Sequence, residues 1–271
     1  MRNTIRRDAL SLMELIVVLS VLVLLGGLIV AVLPNVMKRA HLAKCADTIA
    51  ALNSAWMRAY ALNVRYPDVY DSLLSAGGTT IDSRLSPGLL SQTSVTTLSA
   101  EDVAALRSIG ITAVVDLMPT PPGGSVTYDS APVGAPQRRL TVGGRVVQLN
   151  LSNHLAAGNP LNLKRHLVRL ADGSLADNSS NVRYLIFGIG PNCTGVGTGK
   201  LIQEAPVHFA ADDSLNPTNV YQRYLVVFSL VTNVNGTVTA YFESAAGNDV
   251  NGPSSADAHI RQFHDSASTD G

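Results

Sequence analysis

The residues that offer chemistry are few and scattered. Asp249-Val250-Asn251-Gly252, with Asp257 beyond it, supplies hard oxygen donors beside a turn. Calcium collects roughly six to eight such oxygens, so Asp249, Asn251 and Asp257 form a candidate calcium loop, although the spacing is not that of an EF-hand. The competing reading is an exposed polar tail. Gly195-Val196-Gly197-Thr198-Gly199-Lys200 resembles a phosphate loop in composition, but it lacks the Walker spacing and Leu201 follows the lysine where Ser or Thr would bind the metal. It reads as a glycine-rich surface loop. His154, His166, His208, His259 and His264 are spread along the chain, and neither a Gly-x-Ser-x-Gly elbow nor a His-Glu-x-x-His pair occurs. The expectation is therefore a protein that is not an enzyme. Lys164, Arg165, His166 and Arg169 make a small basic cluster, read as a solvated strand end or loop, or as a partner-binding or DNA-touching patch. Cys45 and Cys193 allow a disulfide in an oxidising compartment, or two buried small apolar side chains.

Behind these residues stand the elements that must position them. The run Leu15 to Leu33 carries no charge, a single acid (Glu14) heads it, and Arg2, Arg6 and Arg7 precede it. At about 1.5 Å per residue the run matches a hydrocarbon core of about 30 Å, which predicts a transmembrane helix segment over 10–33. The basic tip predicts a cytoplasmic N-terminus. Beyond Pro34, the residues Leu42, Cys45, Ile49, Leu52, Trp56 and Ala59 recur at alternating spacings of three and four, so an amphipathic continuation of the helix is expected over 34–63. Gly26, Gly27 and Pro34 are its helix-weakening points.

Ala9, followed by Leu10-Ser11-Leu12-Met13-Glu14 and the apolar run, resembles the prepilin-type signal of type IV pilins and type II secretion pseudopilins. The resemblance implies that a prepilin peptidase cuts between Ala9 and Leu10, that Leu10 becomes the methylated N-terminus, and that Glu14, fifth residue of the mature chain, serves subunit assembly. It departs from the usual pattern, which has Gly before the cut and Phe after it and a helix-weakening proline slightly earlier than Pro34. Pseudopilins with a C-terminal calcium loop add interest to Asp249, Asn251 and Asp257.

The remainder reads as mixed structure rich in strands. Asp68 or Asp71 is a cap candidate for a short helix closed by Gly77-Gly78, and 79–97 reads as irregular. Ser99 caps a helix that stops at Gly110. Residues 139–151, the stretch around Asp172-Gly173, and 223–244 around Asn235-Gly236 read as hairpins, and Arg183 to Ile189 as a central strand. The expected fold class is α+β: a long N-terminal helix, transmembrane then amphipathic, packed on a C-terminal antiparallel β-sheet domain, pilin-like. The expected organisation is a leader over 1–9, the two helix segments, a periplasmic α+β domain over 64–244 and a flexible polar tail over 245–271.

The 271 residues hold 20 basic and 20 acidic side chains, and the absence of net charge excludes the strongly basic field that nucleic-acid binding needs. The resemblance implies a structural subunit of a type IV pilus-like or pseudopilus filament. Its partners would be other subunits, a prepilin peptidase, an inner-membrane assembly platform and membrane lipid, with no cofactor unless calcium. It also implies a single-pass protein of the bacterial inner membrane with its C-terminal domain periplasmic or extracellular. The alternative is a non-polymerising, membrane-anchored periplasmic binding protein.

Overall fold

A computed structural model describes residues 12–119, 130–150, 161, 167–169, 175–177, 181–208, 215, 220–233, 235–249 and 251–268; the side chains at 25–35, 167–169, 175–177, 263 and 266–268 are outside that description. The chain divides into two units, Met1–Ala40 and His41–Gly271. One helix, α1, runs over Leu12–Asn63 and remains helical through Gly26, Gly27 and Pro34. In the first unit its described side chains from Leu12 to Leu24 are apolar apart from Glu14 and Ser20, and all of them are exposed.

Among the described residues, no helix is long and apolar enough to cross a membrane. This corrects the transmembrane helix expected over 10–33 and, with it, the single-pass inner-membrane localisation and the membrane-anchored form of the alternative. The expected fold class is corrected in its sheet as well, which is not purely antiparallel.

The second unit is a mixed α+β domain. The strands are β1 (Tyr70–Ser75), β2 (Thr93–Thr97), β3 (Ala113–Leu117), β4 (Gln137–Arg139), β5 (Arg145–Leu149), β6 (Leu167–Arg169), β7 (Leu175–Asp177), β8 (Val182–Gly188), β9 (Leu225–Thr232), β10 (Val238–Asp249) and β11 (Gly252–Ser254). The helices after α1 are α2 (Pro87–Ser91), α3 (Ala100–Ser108) and α4 (Ala256–Ser268). Among the described residues, nine strands form one sheet in the order β11-β10-β9-β8-β1-β3-β4, with β5 joining β8 and β2 joining β5; β6 and β7 pair separately. The β1–β3 pair is parallel, and the other pairs are antiparallel.

Strand alternation builds two apolar layers on this sheet. Leu185 and Phe187 of β8, with Val226, Phe228 and Leu230 of β9, join Ile49, Leu52 and Trp56 of α1 and Val103 and Leu106 of α3. Tyr184 and Ile186, with Leu225 and Val227, join Leu73 of β1 and Leu89 of α2. Covering both faces explains why β8 and β9 are mostly apolar on successive residues, as in Tyr184 to Phe187 and Leu225 to Phe228. The stripe residues Leu42, Cys45, Ile49, Leu52, Trp56 and Ala59 are all buried.

Local chemistry explains several boundaries. The hydroxyl of Ser99 accepts from the Asp102 amide at 3.1 Å while the Asp102 carboxylate accepts from the Ser99 amide at 2.8 Å, a reciprocal cap on α3. Asp102 is fully buried and also pairs with Arg183. Other expectations need correction. Residues 70–75 are strand, not helix, because β1 is paired on both sides within the sheet. Residues 79–97 contain α2 and β2. β4 and β5 are not a hairpin; β4 pairs with β3 and β5 with β2 and β8. The described residues of 245–268 are not a loose tail, since they form the end of β10, β11 and α4. Ala245, Ala246 and Asn248 of β10 are buried, and Ser255 caps α4 by accepting from the Ala258 amide at 3.3 Å.

Candidate functional site

Taken one at a time, most of the sequence-derived candidates lose their chemistry. The Ala9–Leu10 cleavage position and the Leu10 methylation position lie outside the described residues. Glu14 sits in the first turn of α1, where an acid favours the helix N-terminus. Cys45 and Cys193 are reduced thiols, and no disulfide joins them. The physical reason is that each thiol is committed to its own buried surroundings. The Cys193 thiol is pushed up to about 12 by burial and takes a hydrogen bond from the Gly195 backbone. The Cys45 thiol is raised by burial and is engaged with Tyr224.

The glycine-rich loop is structural too. The Gly197 amide donates to the Ile202 carbonyl at 2.9 Å, and the Lys200 amide to the Gly197 carbonyl at 3.0 Å, so these amides are not presented to an anion. A Cβ on Gly195 would lie 2.8 Å from the Pro67 ring, which accounts for a glycine there by close packing. The loop borders a cleft of about 400 Å³ shared with Asn63, Arg65 and Tyr66. Of the basic cluster, Lys164, Arg165 and His166 lie outside the described residues.

Asp249 behaves differently. It is the last residue of β10, and β10 turns back into β11 with Gly247 opposite Ser254 and Asp249 opposite Gly252. Alternation along β10 divides three neighbours between two faces. The Asn248 side chain accepts from the Ser86 hydroxyl at 2.7 Å and donates to the Tyr221 carbonyl at 2.6 Å. Asp249 turns to two histidines instead. His208 Nε2 stands 3.5 Å from one carboxylate oxygen, and His259 Nε2 stands 3.4 Å from the other. The donor atoms of the three side chains all lie within 4.8 Å of one another. Asp257 and Asn251 are not part of this cluster. Asp257 is in the first turn of α4, and the Asn251 carbonyl accepts from the Gln92 side chain at 2.5 Å.

Each histidine is placed by regular backbone. Val207 bridges Arg223, and the His208 amide donates to the Gln222 carbonyl at 2.7 Å. The His208 ring meets Tyr224 edge to face at 5.2 Å. His259 rides the first turn of α4, its amide donating to the Ser255 carbonyl at 3.3 Å. Ser254 donates to Asp249 and lies 2.9 Å from His259 Nε2.

Both rings are buried, His208 at 0% and His259 at 1% exposure, while the Asp249 side chain keeps 18%. Burial pulls His208 down to about 4, and the Asp249 carboxylate only partly opposes this. Burial also lowers His259 against the same carboxylate. Both imidazoles are therefore neutral near pH 7. Among the described residues neither His208 nitrogen meets a well-aligned hydrogen-bond partner, nor does His259 Nδ1; the Asn248 backbone and the Gln222 side chain only approach the His208 ring.

Ser254, His259 and Asp249 are the residue types of a hydrolytic triad, but their geometry is wrong for one. A triad needs serine on one imidazole nitrogen and the carboxylate on the other. Here both approach Nε2, and Nδ1 is unpartnered. Sequence reasoning placed Asp249 among oxygen donors and left His208 and His259 as scattered residues. The one local signal was a histidine one turn into a helix that begins shortly after the aspartate. No family model matches the chain, and no curated protein or solved structure matches it.

Proposed function

We propose that the chain is a structural subunit of a type IV pilus-like or pseudopilus filament, trimmed by a prepilin peptidase and N-methylated at Leu10. The observation that carries this reading is the apolar surface of the first unit. Leu12, Met13, Leu15, Ile16, Val17, Val18, Leu19, Val21, Leu22, Val23 and Leu24 each expose about half of their surface or more. A helix that is apolar on all sides is stable only when something covers it. Other copies of the same helix are the covering surface in this reading. A non-closing, head-to-tail arrangement of identical subunits gives a filament.

Glu14 supports the same reading. A carboxylate drawn into an apolar bundle needs a counter-charge, because a lone buried charge is far more costly than a paired one. The Leu10 amine of a neighbouring subunit supplies it. In this reading the task of the subunit is mechanical.

The test is intact-mass and N-terminal analysis of the native protein, together with electron microscopy of what it assembles into. A chain beginning at Leu10, one methyl group heavier and recovered from filaments, is the expected result. A chain beginning at Met1 and behaving as a monomer would overturn the reading.

A further inference from the structure

We propose that His208, Asp249 and His259 bind one divalent transition-metal ion, zinc(II) by the nature of the donors, as a clamp on the C-terminal end of the domain. The first argument is the donor set. Two imidazole nitrogens and one carboxylate suit zinc and its neighbours, whereas calcium and magnesium take nearly all-oxygen shells.

The second argument is distance. Zinc bonds of about 2.0–2.2 Å in a tetrahedron place neighbouring donors about 3.3 Å apart. The His208 and His259 nitrogens stand 3.5 and 3.4 Å from the two different oxygens of Asp249, and one donor atom from each residue lies within 4.8 Å of the others, so the three side chains need only close in slightly to share an ion.

The third argument is the space between the rings. A Cβ on Gly247 would lie 2.8 Å from His208 Nε2 and 3.0 Å from His259 Nε2. Both nitrogens therefore converge on the one position of β10 that carries no side chain. Any other residue there would fill the place where they meet.

The fourth argument is what the protein leaves unsatisfied. His208 is completely buried, and among the described residues neither ring nitrogen meets a well-aligned hydrogen-bond partner; the Asn248 backbone and the Gln222 side chain only approach the ring. Buried polar atoms without partners are rare because each is costly. A metal on Nε2 would satisfy that atom directly. Ser254 donates to Asp249 and so provides the outer support that orients a ligating carboxylate. With three protein donors, the fourth tetrahedral position is left to a non-protein ligand on the side where Asp249 is partly exposed.

The clamp would join three pieces that are distant in sequence: the segment bridged to Arg223, the β10–β11 hairpin and the first turn of α4. It does not depend on the filament reading and would stand in a monomeric protein.

The test uses the full chain, stripped with a chelator and titrated with zinc(II) by calorimetry and with cobalt(II) by visible absorption. One ion per chain is expected, with the bands of tetrahedral cobalt, displaced by zinc. His259→Gln and Asp249→Asn should each weaken binding about 100-fold, and Ser254→Ala about tenfold. His264→Ala should change nothing. Circular dichroism checks that each variant folds. If His259→Gln fails to fold, Asp249→Asn and the cobalt spectrum of the unaltered protein decide. Absence of the cobalt bands, calcium binding in place of zinc, or zinc binding that the ligand variants leave intact would overturn the proposal.

Discussion

The indole nitrogen of Trp56 donates a 2.8 Å hydrogen bond to the hydroxyl of Tyr70, and both side chains are fully buried. The bond fastens α1 to β1. Tyr70 also packs against Phe187 and Phe228 at ring separations of 5.9 and 5.8 Å, so the pair sits where the helix, β1 and the sheet centre meet. Tyr70→Phe keeps the ring and leaves the indole N–H with no acceptor. Orphaning a buried donor costs about 1–3 kcal/mol, and urea unfolding should report a loss of that size. Trp56→Phe added to Tyr70→Phe removes the orphan and should recover part of it. An unchanged midpoint in Tyr70→Phe would mean that the bond contributes nothing net.

Asp71 gives the domain a pH dependence of definite sign. Its carboxyl is buried and accepts from the Tyr221 hydroxyl at 2.6 Å through one oxygen, while the other has no hydrogen-bond partner among the described residues. Burial raises it to about 7, more than Tyr221 and Arg223 pull it down. A group raised in the folded state stabilises fully below its unfolded value and loses that contribution as pH rises through the folded value. The Asp71 contribution should therefore fade between about pH 4 and about 7, by at most about 1.4 kcal/mol per pH unit. His208, lowered by burial, acts in the opposite sense over an overlapping range. The difference between wild type and Asp71→Asn isolates the carboxyl. Denaturant midpoints from pH 4.5 to 7.5 should fall less steeply in the variant, and parallel curves would refute the assignment.

Val64 ends α1 in a conformation suited to glycine. Its φ is +55°, its amide donates to the Tyr60 carbonyl at 2.7 Å, and its side chain is 66% exposed. A β-branched residue is strained in the left-handed region, and little apolar burial is at stake. Val64→Gly should stabilise the domain by about 1 kcal/mol, the order of the left-handed penalty. Val69, with φ +63°, is buried at 5%, so the same change there should cost stability through lost packing. Thermal unfolding of the two variants should shift in opposite directions.

Glu14→Ala separates folding from assembly. Glu14 belongs to the unit Met1–Ala40, and the domain core lies in the other unit. The variant should keep the wild-type unfolding midpoint of the domain and lose sedimentable filaments. Normal filaments from it would remove Glu14 from the assembly account.

Much of the local structure was legible in the sequence because its causes are local. Ser99 and Asp102 are three residues apart and satisfy one another's backbone. The 42–59 stripe buries one face by helical periodicity. The β9–β10 hairpin follows from two apolar runs around Asn235-Gly236. Its loop is longer than a two-residue turn, spanning Asn233 to Thr237, with the Asn233 amide donating to Thr237 at 2.8 Å.

What only the tertiary structure decided depends on partners that the linear order keeps apart. Asp71 was a helix-cap candidate by type, yet pairing on both sides makes its segment a strand. The polar composition of 245–271 read as a loose tail, but β9 supplies a neighbour for β10, and Ser86 and Tyr221 satisfy the buried Asn248. The histidines looked scattered because periodicity and spacing describe only neighbours along the chain. Their meeting at Asp249 is set by a bridge to Arg223, the register of a hairpin and one capped helical turn. Glycine at 247 leaves room for both rings, a steric fact that exists only once the sheet has formed.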